Sequence, residues 1–239
     1  MKIGILETGA PPEPLRERFG GYPDMFRALL GPGFEAVTID VAAGRLPRDA
    51  EAYPAYVITG SAAGVYDDLP WIAPLMDFLR GAKGRVGLAG ICFGHQIMAQ
   101  AFGGQVIKSP KGWGVGLHTY EIQAREPWMD LGMDLGMDQA GRIAIPASHQ
   151  DQVVSLPPGA VVTAASAFTP YAGLAYDDGR SISFQGHPEF DPAYAAALIE
   201  ARRGVRLTEG EAVAGLESLT QPNDRHRVGQ WLQGFLRVN

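Results

Sequence analysis

The chain has 239 residues, 46% apolar and 19% charged, an ordinary globular composition and long enough to bury roughly 70% of its unfolded surface without staples. Its 20 basic and 26 acidic residues give a formal net charge of −6, with no basic stripe for nucleic acid and no polybasic segment for a membrane surface. One cysteine excludes an intramolecular disulfide, and no apolar run approaches a membrane span or a secretory h-region, so a reducing, cytoplasmic setting is expected.

Short β-branched runs alternate with helical patterns, which predicts a mostly parallel sheet with crossover helices. Residues 3–6 read as the first strand. Residues 11–22 carry prolines, glycines and charges and read as a long loop, followed by a short helix over 24–30. Strands are expected at 36–41 and 56–59, then a helix over 70–80 with Ile72, Leu75, Met76 and Leu79 on one stripe. The strand at 85–89 runs into Gly90-Ile91-Cys92-Phe93-Gly94, and a helix over 96–102 stops at Gly103-Gly104.

From 105 to 183 the texture changes to strands separated by turn signals, predicting an inserted antiparallel β segment before a last core strand at 181–185. Two helices are expected to close the chain. The first begins at Asp191-Pro192, a good N-cap and first helical residue. The second carries Val228, Trp231, Leu232 and Phe235 at helical spacing. The tandem Met129-Asp130-Leu131-Gly132 and Met133-Asp134-Leu135-Gly136 is too short for a solenoid and reads as a local duplication in a surface connection. No linker divides the chain, so residues 1–239 are expected to form a single domain.

The segment around Cys92 has the context of a nucleophile elbow. A strand enters, a helix leaves, and small neighbours permit a strained backbone at the nucleophile. The helix N-terminus and a nearby imidazolium would favour the thiolate. Alone, the motif fits a buried apolar cysteine equally well. Gly186-His187-Pro188-Glu189 follows another strand, and its His-x-Glu spacing in extended chain sends both side chains the same way. A carboxylate can then hold one ring nitrogen of His187 while the other faces the sulfur. That pair alone also fits a surface hydrogen bond. Thr59-Gly60-Ser61, after a third strand, supplies a glycine amide for an oxyanion, with the amide of Phe93 as second donor; an ordinary turn fits it too. All three segments follow strands of one parallel sheet and so gather at its carboxyl edge, where such sheets place ligands. Cys92, His95, His149, Asp151, His187 and Glu189 include usable metal ligands, but no second close pair accompanies Cys92 and His95, so no metal is expected. His118 and His226 carry no functional context.

Taken in order, Thr59-Gly60-Ser61, Gly90 to Gln96, Ser148-His149-Gln150-Asp151 and Gly186 to Glu189 resemble the class I glutamine amidotransferase family. The resemblance implies a flavodoxin-like open α/β sheet, mostly parallel and flanked by helices. It implies Cys92 as nucleophile, His187 as base and acid, Glu189 as its orienter, Gly60 and Phe93 as oxyanion donors, and Gln96 and Gly94 at the substrate. The Ser-His-x-Asp segment is similar to that of the amidotransferase part of GMP synthetases, which puts Ser148 and His149 at the pocket. Trp113, within Lys111-Gly112-Trp113-Gly114, falls where the family lays backbone against the substrate. Three features depart from that pattern: no room for an ATP-using synthetase domain, Gly60-Ser61-Ala62 at the oxyanion turn, and a longer N-terminal loop.

The expectation is therefore a stand-alone cysteine-dependent glutamine amidotransferase or glutaminase-type hydrolase that forms a γ-glutamyl thioester on Cys92 and needs no cofactor. Its partner is glutamine or another γ-glutamyl compound, with no nucleic acid and no membrane. Two alternatives stay open: a γ-glutamyl peptide hydrolase using the same trio, and an inactive binding or regulatory subunit of a separate synthetase.

Overall fold

The computed structural model describes residues 1–129 and 141–238, so the Met-Asp-Leu-Gly tandem lies outside the described residues except for Met129. In chain order the strands are β1 (Lys2–Glu7), β2 (Glu35–Asp40), β3 (Ala55–Ile58), β4 (Gly87–Ile91), β5 (Gln105–Lys108), β6 (Gly114–Ile122), β7 (Arg142–His149), β8 (Asp151–Ser155), β9 (Val161–Ala165), β10 (Gly173–Ala175) and β11 (Ser181–Phe184). The helices are α1 (Glu13–Phe19), α2 (Tyr22–Leu30), α3 (Ile72–Ala82), α4 (Phe93–Ala101), α5 (Pro192–Arg202), α6 (Glu209–Ser218) and α7 (Arg225–Val238).

The main sheet has the order β2-β1-β3-β4-β11-β10-β9-β6-β7, and β5 pairs with β8 in a small antiparallel sheet. From β2 to β11 all neighbours are parallel; beyond β11 every pairing is antiparallel. The inserted β segment thus extends the parallel sheet through β10, β9, β6 and β7.

Side-chain alternation explains why helices cover both faces. Ile3, Ile5, Ala55, Val57, Ala89 and Ile91 point to one face and pack with Phe26 and Leu29 of α2 and Trp231 and Phe235 of α7. Leu6, Tyr56, Ile58 and Leu88 point to the other, against Leu75 and Leu79 of α3 and Ile97 of α4. Full burial of each such aliphatic side chain contributes about 1.5–3 kcal/mol. Among the described residues no helix is long and apolar enough to cross a membrane.

Two expectations are corrected. Residues 11–22 are not one long loop, because α1 occupies Glu13–Phe19. Its prolines sit at Pro12, the N-cap, and Pro14, in the first turn, where a missing N–H costs nothing. Leu15 and Phe19 anchor it on Tyr194 and Leu198 of α5. Three helices, not two, follow the last strand. The additional one, α6, starts in a capping box: Thr208 N–H donates to Glu211 Oε2 (2.7 Å) and Glu211 N–H to Thr208 Oγ1 (3.3 Å).

The order β3-β4-β11 positions the site. Ile58 pairs with Gly90, and Phe184 with Ile91, so the three neighbouring strands end at the same height. The chain leaves them at Thr59, Cys92 and Gln185.

Candidate active site

Cys92 is the one non-glycine residue with positive φ among the described residues, at φ 54° and ψ −102°. Such a backbone costs of order 1–3 kcal/mol and persists only where its surroundings enforce it. The enforcement is visible. Cys92 N–H donates to Phe184 O (2.9 Å), Gly94 N–H to Thr59 O (3.2 Å), and Gln96 N–H to Cys92 O (3.0 Å). The flanking glycines permit the turn: a Cβ on Gly90 would lie 2.5 Å from Gly94 O, and one on Gly94 would strike Ile58 O.

His187 comes from the turn after β11, held by His187 N–H donating to Pro146 O of β7 (2.7 Å). Its Nδ1 lies 2.8 Å from Glu189 Oε1, and the imidazole also hydrogen-bonds Cys92. His187 and Glu189 are 3% and 2% exposed, so little solvent screens the pair. Burial by itself disfavours the imidazolium, but the charges of Cys92 and Glu189 and their hydrogen bonds outweigh it and raise His187 to about 10. The carboxylate of Glu189 thus favours the protonated imidazole, the form that supports a thiolate nucleophile.

Gly60 follows β3, and a Cβ there would lie 3.2 Å from His187 Cε1 and 3.8 Å from Cys92 Cβ. Among the described residues neither Gly60 N–H nor Phe93 N–H donates to a backbone carbonyl. The Gly60 turn is tied down by Thr8 of the β1 exit. Thr8 N–H donates to Thr59 Oγ1 (3.0 Å), and Thr8 Oγ1 lies 3.0 Å from Thr59 O and 3.2 Å from Gly60 O.

A cavity of about 260 Å³ opens at Cys92 and is lined also by Gln96, Trp113, Ser148 and His149. Residues far apart in sequence thus share one wall. Gln96 donates to Asp151 O (2.8 Å) and to Gln185 Oε1 (3.2 Å), so it braces the wall. His149 is buried, with Nδ1 3.1 Å from Asp151 O, and burial lowers it to about 3. Gly94 lies outside this lining and packs on β3.

Several lining residues were not assigned to the pocket by the sequence reading, Arg202, Asp151 and Tyr66 among them. Arg202, at the end of α5, donates to Ser148 Oγ (2.6 Å) and lies over the Trp113 ring at 5.2 Å; burial lowers its pKa. In sequence it looks like any basic residue in a last helical turn. Asp151 and Tyr66 pair with each other, with Tyr66 OH donating to Asp151 Oδ2 (2.8 Å). Asp151 had a signal, since it ends the Ser-His-x-Asp segment; Tyr66 had none. His95 is fully buried, hydrogen-bonded to Ser183 Oγ (2.8 Å) and lowered to about 3 by burial, so it belongs to the core of α4. Among the described residues no three His, Cys, Asp or Glu side chains group as a metal site.

An open α/β sheet with cysteine, histidine and glutamate at the ends of adjacent parallel strands defines an amidotransferase-type protein. The class-I glutamine amidotransferase family model matches residues 35–202, and the chain belongs to that family. A glutamine amidotransferase-like protein of Schizosaccharomyces pombe is 30% identical, covering 98% of both chains. Gamma-glutamyl peptidase 4 of Arabidopsis thaliana is 32% identical over 74% of this chain and 70% of its own. A GMP synthase of Nitrosococcus oceani is 31% identical over 74% of this chain and 31% of its own length. A solved glutamine amidotransferase from Thermotoga maritima has the same fold, with TM-score 0.74 and 20% identity over 99% of this chain and 96% of that one.

Proposed function

We propose that the protein hydrolyses γ-glutamyl amides through a thioester on Cys92. The observation that carries this reading is the buried trio, in which His187 Nδ1 lies 2.8 Å from Glu189 Oε1 and Cys92 lines a cavity. The Cys92 thiolate adds to the γ-carbonyl, and the amides of Gly60 and Phe93 receive the oxyanion. His187 gives its proton to the departing nitrogen as the C–N bond breaks, leaving a γ-glutamyl thioester. Water then loses a proton to His187, adds to the thioester and expels the thiolate.

The cavity suits the glutamyl end. Arg202 offers a cation for the α-carboxylate, and Asp151 an anion for the α-ammonium. Gln96 acts through Asp151, whose backbone it holds. The relatives named gamma-glutamyl peptidases favour peptides as a second substrate class beside glutamine. A complete trio in this geometry gives no reason to read the chain as an inactive subunit.

Glutamine and γ-glutamyl dipeptides should both be assayed, with intact-mass detection of the acyl-enzyme. Replacing Cys92 with Ala should remove the adduct and lower turnover by at least about 10³-fold. Unchanged turnover in that variant would end the thioester mechanism.

A further inference from the structure

The turn after β3, Gly60-Ser61-Ala62, starts on a glycine and holds no proline, so nothing covalent fixes its backbone. Hydrogen bonds fix it instead, and they come from the exit of β1. Thr8 and Thr59 are both buried, and each donor of the pair meets its own acceptor. Thr8 N–H donates to Thr59 Oγ1 (3.0 Å), Thr59 Oγ1 to Gly60 O (3.1 Å), and Thr8 Oγ1 to Thr59 O (3.0 Å). Thr59 O also accepts from Gly94 N–H at the start of α4 (3.2 Å). One carbonyl oxygen thus joins the β1 exit, the oxyanion turn and the nucleophile elbow.

That oxygen sets the aim of the Gly60 amide. Thr59 C=O and Gly60 N–H belong to one planar trans peptide and point in opposite directions. With the oxygen held toward Thr8 and Gly94, the N–H is turned away from both. Among the described residues it donates to no backbone carbonyl. Gly60 O is held in turn, so the peptides on both sides of the glycine are fixed. Gly9 seats the strand exit against the turn: a Cβ there would lie 2.9 Å from Ser61 Cα. Thr8 stands behind this turn and does not line the cavity at Cys92.

We propose that the exit of β1 is a positioning element for the reaction. The Thr8 hydroxyl, acting through Thr59, and the bare α-carbon of Gly9 against Ser61 keep the Gly60 amide aimed at the oxyanion. This rests on the hydrolase reading above and adds no chemical step to it; Thr8 transfers no proton. Attack on the γ-carbonyl and attack of water on the thioester both pass through a tetrahedral oxyanion. A misaimed amide therefore slows the two steps alike, which lowers kcat and leaves KM nearly unchanged. Displacement of halide from an alkylating agent forms no oxyanion, so the same defect does not slow alkylation of Cys92.

The test measures kcat and KM on glutamine and a γ-glutamyl dipeptide, and the rate of Cys92 alkylation by iodoacetamide. It compares the wild type with Thr8→Val, Thr8→Ser and Gly9→Ala, with a thermal melt of each to check the fold. Thr8→Val keeps the shape and removes the hydroxyl. It should lower kcat about ten-fold or more, part of the roughly 10²–10³-fold that a lost oxyanion donor costs. KM and the alkylation rate should stay within about two-fold of wild type. Thr8→Ser, which keeps the hydroxyl, should restore most of kcat. Gly9→Ala pushes on Ser61 and should show the same signature as Thr8→Val without removing a hydrogen bond. An unchanged kcat in whichever of those two is folded, or alkylation slowed as much as kcat, would overturn the positioning role while leaving the thioester mechanism standing. No wild-type turnover of either substrate and no acyl adduct on Cys92 would overturn both.

Discussion

The imidazole of His187 lies flat on the ring of Phe190, with centroids 3.8 Å apart and planes 7° apart. Tyr194 meets the same Phe190 edge-on at 4.6 Å, so the ring is clamped and transmits its orientation to the imidazole. Phe190→Leu should cost roughly 1–2 kcal/mol of stability through lost packing. It should also lower kcat about ten-fold with KM little changed, because the imidazole loses its backing while the glutamyl cavity stays. Urea unfolding and steady-state kinetics check the two effects. An unchanged kcat would show that Glu189 alone orients His187.

Glu189→Gln keeps an oxygen for His187 Nδ1 but removes the charge. Burial disfavours the imidazolium, and the carboxylate is one of the groups that overcome it. The neutral amide should therefore bring the His187 pKa down from about 10. In the wild type this raised pKa contributes stability that is fully present below the ordinary value of 6.5 and is lost as pH rises through about 10. In the variant the loss still begins near 6.5 but is complete at lower pH and is smaller in total. Turnover should fall about 10²–10⁴-fold. The imidazole C–H resonances of His187, followed against pH by NMR, read the change directly; coincident curves for the two proteins would contradict it.

The positive φ of Cys92 makes glycine the better residue there for stability. Cys92→Gly should unfold at higher denaturant than Cys92→Ala by about 1 kcal/mol, and both should be inactive. Comparing the two variants removes the thiolate from consideration. If the alanine variant were the more stable, the elbow would not be strained.

Two buried histidines predict acid sensitivity. Burial lowers both His95 and His149 to about 3, against 6.5 for the free side chain. Below 6.5 the unfolded chain binds two protons that the folded chain refuses. Stability present above that pH is then lost progressively toward pH 3, at about 2.7 kcal/mol per pH unit from the pair. His95→Gln should remove about half of that slope. Unfolding measured at several values between about pH 6 and pH 4 checks it, and an unchanged slope would mean that His95 is not a buried neutral group.

Much of this architecture is local and therefore written in the sequence. Strand alternation, the glycines around Cys92 and the His187-Pro188-Glu189 spacing each concern neighbours a few residues apart. Strand ends alone put Gly60, Cys92 and His187 in strand-exit turns, and β3, β4 and β11 are adjacent and parallel as that grouping requires. Local rules also misled where one residue type serves two purposes. The prolines before Leu15 read as loop, yet Pro12 and Pro14 sit where a helix start tolerates them. The Thr208 to Glu211 capping signal was present, but Gly210 and Gly215 and a weak apolar stripe hid the helix behind it.

Cys92 with His187 and Glu189 is thus what the sequence determined by itself, since each member sits in a turn whose residues dictate its backbone. The tertiary structure decided what those atoms face. Arg202 meets Ser148 across 54 residues of chain, and Tyr66 meets Asp151 across 85. Pro12 and Arg202 line one cavity because α1 packs on α5. Such meetings depend on sheet order and helix packing, which sum weak contacts over the whole chain and leave no mark at any one position.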